Sequence, residues 1–240
     1  MHVLCLEETT IREIQMSDFE EIRCLDAPLA NKLQAYAKQL TDFKPTMAQA
    51  YSTLVERLST ADAGSHAPEV GTPFPSFVLP DSRGKLMSST DLLNLGPLVV
   101  SFNRGHWCSF CKLELSALTD ICQELEQFGG GVVSIIPERG SLTKQLKETL
   151  QIPFPVLTDV DNGFALNCGL MISLGGVVSE LILKAGVNLS NYQGNNSWFV
   201  PIPATFIVGR DGIIIERFVD VDFRHRMSPK KILNIFNQLK

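Results

Sequence analysis

The 240-residue sequence lacks two features that would point directly to a partner. No apolar run approaches the roughly 20 residues of a membrane-spanning helix. No basic patch is present either, because 21 Lys and Arg are scattered among 26 Asp and Glu, giving a net charge of −5. A protein that binds nucleic acid needs clustered positive charge to displace counterions from the phosphates. We therefore expect neither a membrane nor a nucleic acid as partner.

The first residues also lack the basic segment that begins a secretory signal or a transit peptide. The sequence there is MHVLCLEETTIREI, which turns acidic at Glu7 and Glu8. This pattern predicts a cytoplasmic protein. In that reducing compartment the six cysteines are expected to be thiols at rest.

A second C-x-x-C pair, which would complete a four-ligand zinc site, is missing as well. The single pair is Cys108 and Cys111, in the stretch RGHWCSFCK, and His106 lies only two residues from Cys108. The remaining thiols are isolated in the sequence: Cys5, Cys24, Cys122 and Cys168. We expect no metal and no bound cofactor, while zinc binding and an inert pair of buried cysteines stay open as alternatives.

The first 66 residues predict a helical extension and a linker, before a domain at 67–240. Apolar residues recur at intervals of three and four between Thr10 and Leu58, which indicates two helices broken near Pro45. Small residues and prolines at 60–71 indicate the linker. The helix pair could pack back on the domain, extend as an arm toward a second copy, or do both, so a homodimer stays open.

The rest of the chain predicts an α/β domain. Short runs dense in Val, Ile and Phe alternate with amphipathic helical stretches, which favours a βαβ crossover and a largely parallel sheet covered on both faces. Two strands joined by a tight turn at Gly212 add an antiparallel edge, and Ser228 with Pro229 begins a last helix. The predicted segments are strand 98–102, helix 108–128, strand 132–136, helix 142–150 and hairpin 204–219.

The two cysteines lie where the strand LVVSF gives way to a helix. The first backbone N–H groups of a helix have no intrahelical partner and carry positive potential, which stabilises a thiolate over a thiol. Arg104, His106 and Lys112 are close in sequence and would lower the thiol pKa further. Cys111 is nearly one turn further on, so its sulfur can reach that of Cys108. We therefore predict that Cys108 attacks and Cys111 resolves.

This arrangement resembles the thioredoxin superfamily, in which a strand ends in W-C-x-x-C, a helix follows, and a later proline precedes a strand. The later proline here is in PIPATFIV, residues 201–208. The resemblance implies a thioredoxin-like three-layer sandwich, with a mixed central sheet flanked by helices. It also implies a cis peptide bond at Pro203, opposite the cysteines. The backbone at Ile202 and Pro203 would then form an open edge for a thiol-bearing substrate.

Within that superfamily the sequence is most similar to peroxiredoxin-like proteins of the alkyl hydroperoxide reductase and thiol-specific antioxidant family that carry an RGxWCxxC motif. The matching stretches, between Ala67 and Lys240, are FVLPDSRG, FNRGHWCSFC, FPVLTDVDN, SWFVPIPATFIV and FVDVDFRHRMSP. The resemblance implies an antioxidant oxidoreductase. Its supporting site residues would be Arg104, Gly105, His106 and Trp107.

Three positions depart from the peroxiredoxin pattern. Gly105 stands where peroxiredoxins place a Thr or Ser that helps to hold the peroxide, and Ser101 stands where they have a proline. Pro203 falls near the position of their distal arginine. The absence of these peroxide-binding residues favours a disulfide as oxidant, whereas the resemblance to the family favours a peroxide.

The leading hypothesis is a dithiol redox enzyme. Cys108 attacks a peroxide or a disulfide, Cys111 resolves the product, and an external thiol restores both. That reductant could be thioredoxin-like, glutaredoxin-like or a low-molecular-weight thiol. Two other classes stay open: a binding module that recruits a partner through the loop 170–198, and a thiol sensor.

Two isolated cysteines and a basic turn lie outside the motif. Cys122 and Cys168 are expected to be core thiols, although a mobile loop could bring Cys168 toward the site. The last helix is expected to follow a solvated basic turn, made of Arg224, His225 and Arg226.

Overall fold

The computed structural model describes residues 19–239, and this part of the chain begins with helices. The described part of α1 covers residues 19–24, and it is followed by α2 (Leu29–Phe43) and α3 (Pro45–Thr60). Pro45 occupies the first turn of α3, where a proline costs no hydrogen bond. The predicted break near Pro45 is therefore confirmed, while the part of that prediction before residue 19 lies outside the described residues.

Strands and helices alternate through the rest of the described chain. The first elements are β1 (Val78–Pro80), β2 (Leu86–Ser88), α4 (Ser89–Leu95), β3 (Leu98–Phe102), α5 (Ser109–Gln127), β4 (Gly131–Ile136), α6 (Gly140–Leu150) and β5 (Val156–Thr158). A 3-10 turn (Val160–Asn162) leads to α7 (Gly163–Asn167), β6 (Met171–Ser173), α8 (Gly176–Lys184), α9 (Leu189–Gln193), β7 (Phe199–Pro201), β8 (Ala204–Val208), β9 (Ile214–Val219) and α10 (Pro229–Gln238). Among these described helices, none has both the length and the apolar character needed to cross a membrane.

A five-stranded mixed sheet forms the centre, in the order β5-β4-β3-β8-β9. β3 pairs with β4, and β4 with β5, in parallel, whereas β8 pairs antiparallel with both β3 and β9. The parallel pairs are connected through α5 and α6, because parallel strands need a crossover. The predicted parallel core with an antiparallel edge is confirmed.

Two apolar layers, one on each face of the sheet, hold the elements together. Alternate residues of β3 point to opposite faces, so Val100 and Phe102 pack in one layer and Val99 packs in the other. The first layer includes α3 through the buried Leu54, and the second includes α10 through the buried Phe236. Helices on both faces of a mixed sheet make the predicted three-layer sandwich.

The N-terminal helices α2 and α3 pack back against the sheet. Leu33 of α2 and Leu58 of α3 are buried in the same apolar layer as strand residues. At the far side of α3, the guanidinium of Arg57 donates to the carbonyl of Ser173 at 2.6 Å, which ties this helix to β6. The structure shows the helix pair packed on the domain, and an additional contact of these helices with a second copy stays a prediction.

Candidate active site

The junction between β3 and α5 holds both cysteines of the motif. β3 ends at Phe102, and a short loop leads to α5, which begins at Ser109. Cys108 is the cap residue, with an extended backbone (φ −93°, ψ 105°) and a carbonyl that accepts the N–H of Lys112 at 3.0 Å. Its own N–H donates to the carbonyl of Gly105 at 3.1 Å. Cys108 therefore lies at the positive end of a helix, as predicted.

The sulfurs of Cys108 and Cys111 are in direct contact. The Cys111 thiol donates to Cys108 Sγ across 2.7 Å, and the backbone N–H of Arg104 donates to Cys111 Sγ at 3.4 Å. Only 5% of Cys108 and none of Cys111 is exposed to solvent. Because a disulfide needs about 2.05 Å between its sulfurs, a small side-chain rotation is enough to close the bond. The pair can be oxidised without unwinding α5.

The two thiols have opposite pKa shifts. Burial alone would raise the pKa of Cys108, but the hydrogen bond from Cys111 and the charges of Arg104 and Arg226 outweigh burial and lower this pKa to about 6. Burial raises the pKa of Cys111 well above its ordinary value, and its hydrogen bond to Cys108 raises it further. Because the thiolate is the nucleophile, these shifts favour Cys108 as the attacking sulfur and Cys111 as the resolving thiol.

Arg104 is an enclosed cation next to the thiols. Only 2% of the residue is exposed, and its guanidinium carbon lies 3.8 Å from the centre of the Phe223 ring, a cation–π contact. Its Nε and Nη2 atoms have no hydrogen-bond partner within the described residues. Burial lowers the pKa of this guanidinium, whereas the charges of the two cysteines raise it. Such a cation favours the ionised form of a neighbouring thiol.

Arg226 is a second buried cation, so the prediction that it belongs to a solvated turn was wrong. Its side chain is 1% exposed, its Nε donates to Glu114 at 2.6 Å, and its Nη2 donates to Cys111 Sγ at 3.7 Å. Glu114 also accepts hydrogen bonds from Thr205 at 3.0 Å and from Ser101 at 3.3 Å. A buried carboxylate needs a cation and hydrogen bonds to offset its lost hydration, and Arg226 fills that need.

The other two residues of this turn are at the surface, as predicted. Arg224 pairs with Asp222 at 2.7 Å, and His225, whose side chain is 61% exposed, lies 2.8 Å from Asp220. The sequence does carry a signal for the buried pair, because Glu114 interrupts the apolar face of a helix. That signal predicts a partner for Glu114 without saying which cation provides it.

Glu138 is a further site group that sequence reasoning missed. The residue is fully buried two positions after β4; its Oε1 accepts the backbone N–H of His106 at 2.9 Å, and its Oε2 has no hydrogen-bond partner within the described chain. Burial raises its pKa to about 8, although backbone hydrogen bonds from His106 and Trp107 oppose the shift. Parallel strands end at the same edge of a sheet, so a carboxylate just after β4 was a candidate neighbour of the loop after β3.

Glu138 also explains one departure from the peroxiredoxin pattern. Gly105 has a φ of +123°, which side chains other than glycine rarely adopt. A Cβ atom built on Gly105 would overlap Oε1 of Glu138. The Thr or Ser that peroxiredoxins have at this position therefore cannot replace Gly105 unless Glu138 moves.

His106 and Trp107 hold the loop through their backbone. Burial lowers the pKa of the His106 imidazole, and the charge of Lys112 lowers it further. The Trp107 ring is partly buried, and its Nε1 has no hydrogen-bond partner within the part of the chain that the structure describes. Trp107 directly precedes Cys108 in the chain, His106 lies two residues before it, and the N–H groups of both point at Glu138.

The predicted cis bond at Pro203 was wrong, because no peptide bond in the described chain is cis. The backbone there is also engaged: the N–H of Ile202 donates to the carbonyl of Leu170 at 2.7 Å, and both Ile202 and Pro203 are buried. The expected open edge is therefore already paired. Since Ala204 pairs with Phe102, the segment still lies at the sheet end from which β3 leads to the cysteines.

The other described cysteines lie apart from this chemistry. Cys122 is 5% exposed and Cys168 is fully buried, both within apolar clusters, as predicted for core thiols. Burial raises the pKa of Cys168 to about 12, and the charge of Asp159 adds to the shift. Cys24 is exposed, and Cys5 lies outside the described residues. Within residues 19–239 no group of three or more His, Cys, Asp or Glu could hold a metal ion.

Comparison with known proteins identifies relatives for most of the chain after the N-terminal helices. The AhpC/TSA family profile matches residues 70–217. The thiol-disulfide oxidoreductase ResA of Bacillus thuringiensis is 22% identical over 172 residues, which are 71% of this chain and 76% of ResA. The putative peroxiredoxin bcp of Coxiella burnetii is 26% identical over 104 residues, 43% of this chain and 68% of its own.

Solved structures show the same fold. Peroxidoxin BcpB from Mycobacterium tuberculosis superposes with a TM-score of 0.56 at 18% identity, covering 72% of this chain and 98% of BcpB. A mutant of peroxiredoxin 6 from Arenicola marina gives a TM-score of 0.58 at 15% identity, covering 72% of this chain and 74% of its own. The predicted thioredoxin-like sandwich is thus confirmed. Since the family profile spans more than half of the sequence, the chain belongs to the AhpC/TSA family of thiol-dependent oxidoreductases.

Proposed function

We propose that the protein reduces peroxides through a dithiol and disulfide cycle of Cys108 and Cys111. The observation that carries the proposal is the contact between a thiol of lowered pKa and a thiol of raised pKa, 2.7 Å apart. Two buried cations, Arg104 and Arg226, surround the pair. Their positive potential replaces that of the distal arginine of peroxiredoxins, which falls near the position of Pro203 in this sequence.

The proposed reaction transfers two electrons from the thiols to the peroxide. The Cys108 thiolate attacks one peroxide oxygen, the O–O bond breaks, and the leaving oxygen takes a proton to become water or an alcohol. Cys108 is now a sulfenic acid. The Cys111 sulfur attacks it, the S–S bond forms, and the hydroxyl group leaves as water with the thiol proton. An external thiol then reduces the disulfide and is itself oxidised.

The loop residues have positioning roles in this proposal. Glu138 fixes the backbone of His106 and Trp107. Gly105 has no Cβ atom and so leaves room for the carboxyl group of Glu138. Trp107 is the chain neighbour of Cys108 and shields one side of it. Ile202 and Pro203 pack at the same end of the sheet and close that side of the site.

Thiol–disulfide exchange without peroxidase activity is the second candidate. The observation that favours it is Gly105, because this position offers no hydroxyl group to hold a peroxide. The likeness to ResA, named a thiol-disulfide oxidoreductase, points the same way. In that reaction Cys108 attacks a substrate sulfur, a thiolate leaves, and Cys111 displaces the second substrate thiol.

The reductant and the compartment follow from the same cycle. A thioredoxin-like protein, a glutaredoxin-like protein or a low-molecular-weight thiol would restore the dithiol after each turnover. We propose the cytoplasm as the compartment because the cycle needs a steady supply of reduced thiol. Catalysis belongs to residues 67–240, and the described part of the extension, residues 19–66, packs on that domain.

Stopped-flow mixing of the reduced protein with hydrogen peroxide, and separately with a small disulfide, tests the proposal through Trp107 fluorescence. We expect a fast peroxide phase that Cys108→Ser abolishes and that Cys111→Ser preserves while sulfenic acid accumulates. A slow peroxide phase with a fast disulfide phase would establish the second candidate. Reaction with neither oxidant faster than a free thiol would rule out both.

A further inference from the structure

Four aromatic side chains lie over the dithiol, and we call them the aromatic cap: Tyr36, Tyr51, Phe110 and Phe223. Their rings form a chain of edge-to-face contacts. Ring centres are 5.0 Å apart for Tyr36 and Phe110, 5.5 Å for Phe110 and Phe223, and 4.9 Å for Tyr51 and Phe223. Such pairs are favoured beyond the area they bury, so the cap is a packed structure of its own.

The cap is bound to the site at several points. Phe110 stands between the two cysteines in the sequence, and Phe223 is the ring against which Arg104 packs. Burial raises the pKa of Tyr36, and the side chain of Ser109, the first residue of α5, opposes that rise. Cys108 is the charged neighbour with the largest effect on Tyr51. The cap therefore packs in the same apolar cluster as the two buried thiols.

Most of the cap comes from outside the family domain. Tyr36 is on α2 and Tyr51 is on α3, both before residue 70, and Phe223 follows residue 217. Of the four rings, only that of Phe110 lies within the matched residues. The chain has thus added a cover to a thiol site whose framework it shares with its relatives.

A small cavity borders the cap without reaching either cysteine. Its volume is about 420 Å³, and its lining includes Ala37, Tyr51, Phe110 and Arg224. That volume suits a small molecule. To react, the disulfide of a folded protein must bring one of its sulfurs into contact with Cys108 Sγ. Because only 5% of Cys108 is exposed, this residue offers too little surface for that contact.

We propose that the aromatic cap is a size filter, which admits low-molecular-weight oxidants to Cys108 and excludes the disulfides of folded proteins. This inference rests on the proposed thiol redox function and narrows its substrate class. The same cover lies over Cys111, so the filter also applies to the reductant. Two molecules of a small thiol give up two electrons and become a disulfide, the bond between Cys108 and Cys111 breaks, and both sulfurs take up protons.

The test compares a small disulfide with a protein disulfide as oxidants. The background is Cys5→Ser with Cys24→Ser, which removes the exposed Cys24 and the thiol outside the described chain. We expect the parent to react with bis(2-hydroxyethyl) disulfide and to react at least about a hundredfold more slowly with the disulfides of insulin. Tyr36→Ala with Tyr51→Ala should raise the insulin rate at least about tenfold and change the small-disulfide rate little.

Two variants separate the filter from a general loosening of the fold. Tyr36→Phe with Tyr51→Phe keeps both rings and should retain the selectivity. Phe43→Ala removes an aromatic ring from α2 that is 73% exposed and away from the cap, and it should also retain the selectivity. Equal rates with insulin and the small disulfide in the parent, or equal acceleration of both in the alanine variant, would overturn the proposal.

A second readout keeps the filter testable if the redox function fails. Alkylation of Cys108 is measured by mass spectrometry with N-ethylmaleimide and with a maleimide carried on a bulky branched polymer. The filter predicts that only the small maleimide modifies the parent and that both modify the alanine variant. Modification of the parent by both reagents at one rate would contradict the filter, whatever the oxidants show.

The reductant is tested by following peroxide turnover with glutathione and with thioredoxin. The filter predicts that glutathione supports turnover and that thioredoxin does so only in the Tyr36→Ala, Tyr51→Ala variant. Turnover of the parent with thioredoxin at the rate seen in that variant would contradict the filter for the reductant.

Discussion

At the scale of single residues, the site depends on an asymmetry between two thiols that share one environment. Both are buried beside Arg104 and Arg226, yet Cys108 caps α5 and accepts a hydrogen bond, whereas Cys111 donates one. The donated hydrogen bond stabilises the thiolate of Cys108 and holds the proton on Cys111. The direction of the hydrogen bond between the two sulfurs therefore favours Cys108 as the attacking one.

The pKa of Cys108 predicts how its reactivity changes with pH. Alkylation by iodoacetamide requires the thiolate, so the rate should rise with pH, pass its midpoint at about 6 and level off above about 7. Between about pH 5 and pH 7 the increase should be about tenfold. Mass-spectrometric quantification of alkylated Cys108 measures this profile. A midpoint near the ordinary value of 9.0 would show that the surrounding charges do not act on this thiol.

Arg104 should control this pKa without being needed for folding. It has no ion-pair partner within the described residues, so Arg104→Met leaves no carboxylate unpaired. We expect the midpoint for Cys108 alkylation to rise by about one unit, since the charge is removed and burial remains. Arg210→Met is the matched control, because Arg210 is exposed at the other end of β8. An unchanged midpoint in the Arg104 variant would contradict the electrostatic role.

Contacts between residues close in the sequence can be predicted from it, whereas contacts between distant residues cannot. Cys108 and Cys111 are three positions apart in the chain, so their contact could be predicted from helical geometry. Glu114 and Arg226 are 112 residues apart, and no local pattern records that they meet. Basic residues in a turn are usually solvated, which is why Arg226 was misplaced. Only its buried partner makes it part of the site.

At the scale of elements, the loop between β3 and α5 is held by the element next to it. The chain after β4 places Glu138 under the loop, where its carboxyl group accepts N–H groups that have no helix to bond to. The strand, the helix and their order were predicted from periodicity. The contact between the loop and Glu138 was not, since it depends on the parallel register of β3 with β4.

Glu138→Gln should change how stability depends on pH. The pKa of Glu138 in the fold is about 8, above its ordinary value of 4.5, so the folded protein keeps a proton that the unfolded chain releases. Stability is therefore lost as pH rises between these values. Gln keeps the acceptor for His106 and has no proton to lose, so the variant should be more stable than the parent at about pH 9, by on the order of 5 kcal/mol.

Urea unfolding of the two proteins at low and high pH measures this difference. Cys111 and Tyr192 also interact with the Glu138 charge, so each stability is referred to the same protein at about pH 5, where all three groups are protonated in the folded state. Parallel pH profiles for parent and variant would show that Glu138 does not titrate in the fold.

At the scale of the whole molecule, the N-terminal helices belong to the main core. Leu54 of α3 is 3% exposed and lies in the apolar layer that also contains Phe102 and Phe206 of the sheet. The amphipathic pattern predicted these helices, but it could not choose between a cover and an arm. That choice depends on an apolar sheet face made by residues far away in the chain.

Leu54→Ala should therefore destabilise the entire domain. Removing a buried leucine side chain costs about 2–5 kcal/mol, because apolar contacts are lost and a cavity remains. We expect one cooperative unfolding transition in denaturant, shifted to lower concentration. Leu95→Ala, at a position 77% exposed, is the matched control and should change little. A separate early transition in the Leu54 variant would show that the helices fold apart from the sheet.

Oxidation is expected to join Cys108 to Cys111, and peptide mapping after addition of one equivalent of hydrogen peroxide detects this disulfide. Trypsin cleaves after Arg104 and Lys112, so one peptide carries both cysteines. We predict that this peptide loses two hydrogens and that Cys122 and Cys168 stay reduced. A Cys108 linked to Cys168, or a pair that stays reduced while another thiol is oxidised, would contradict it.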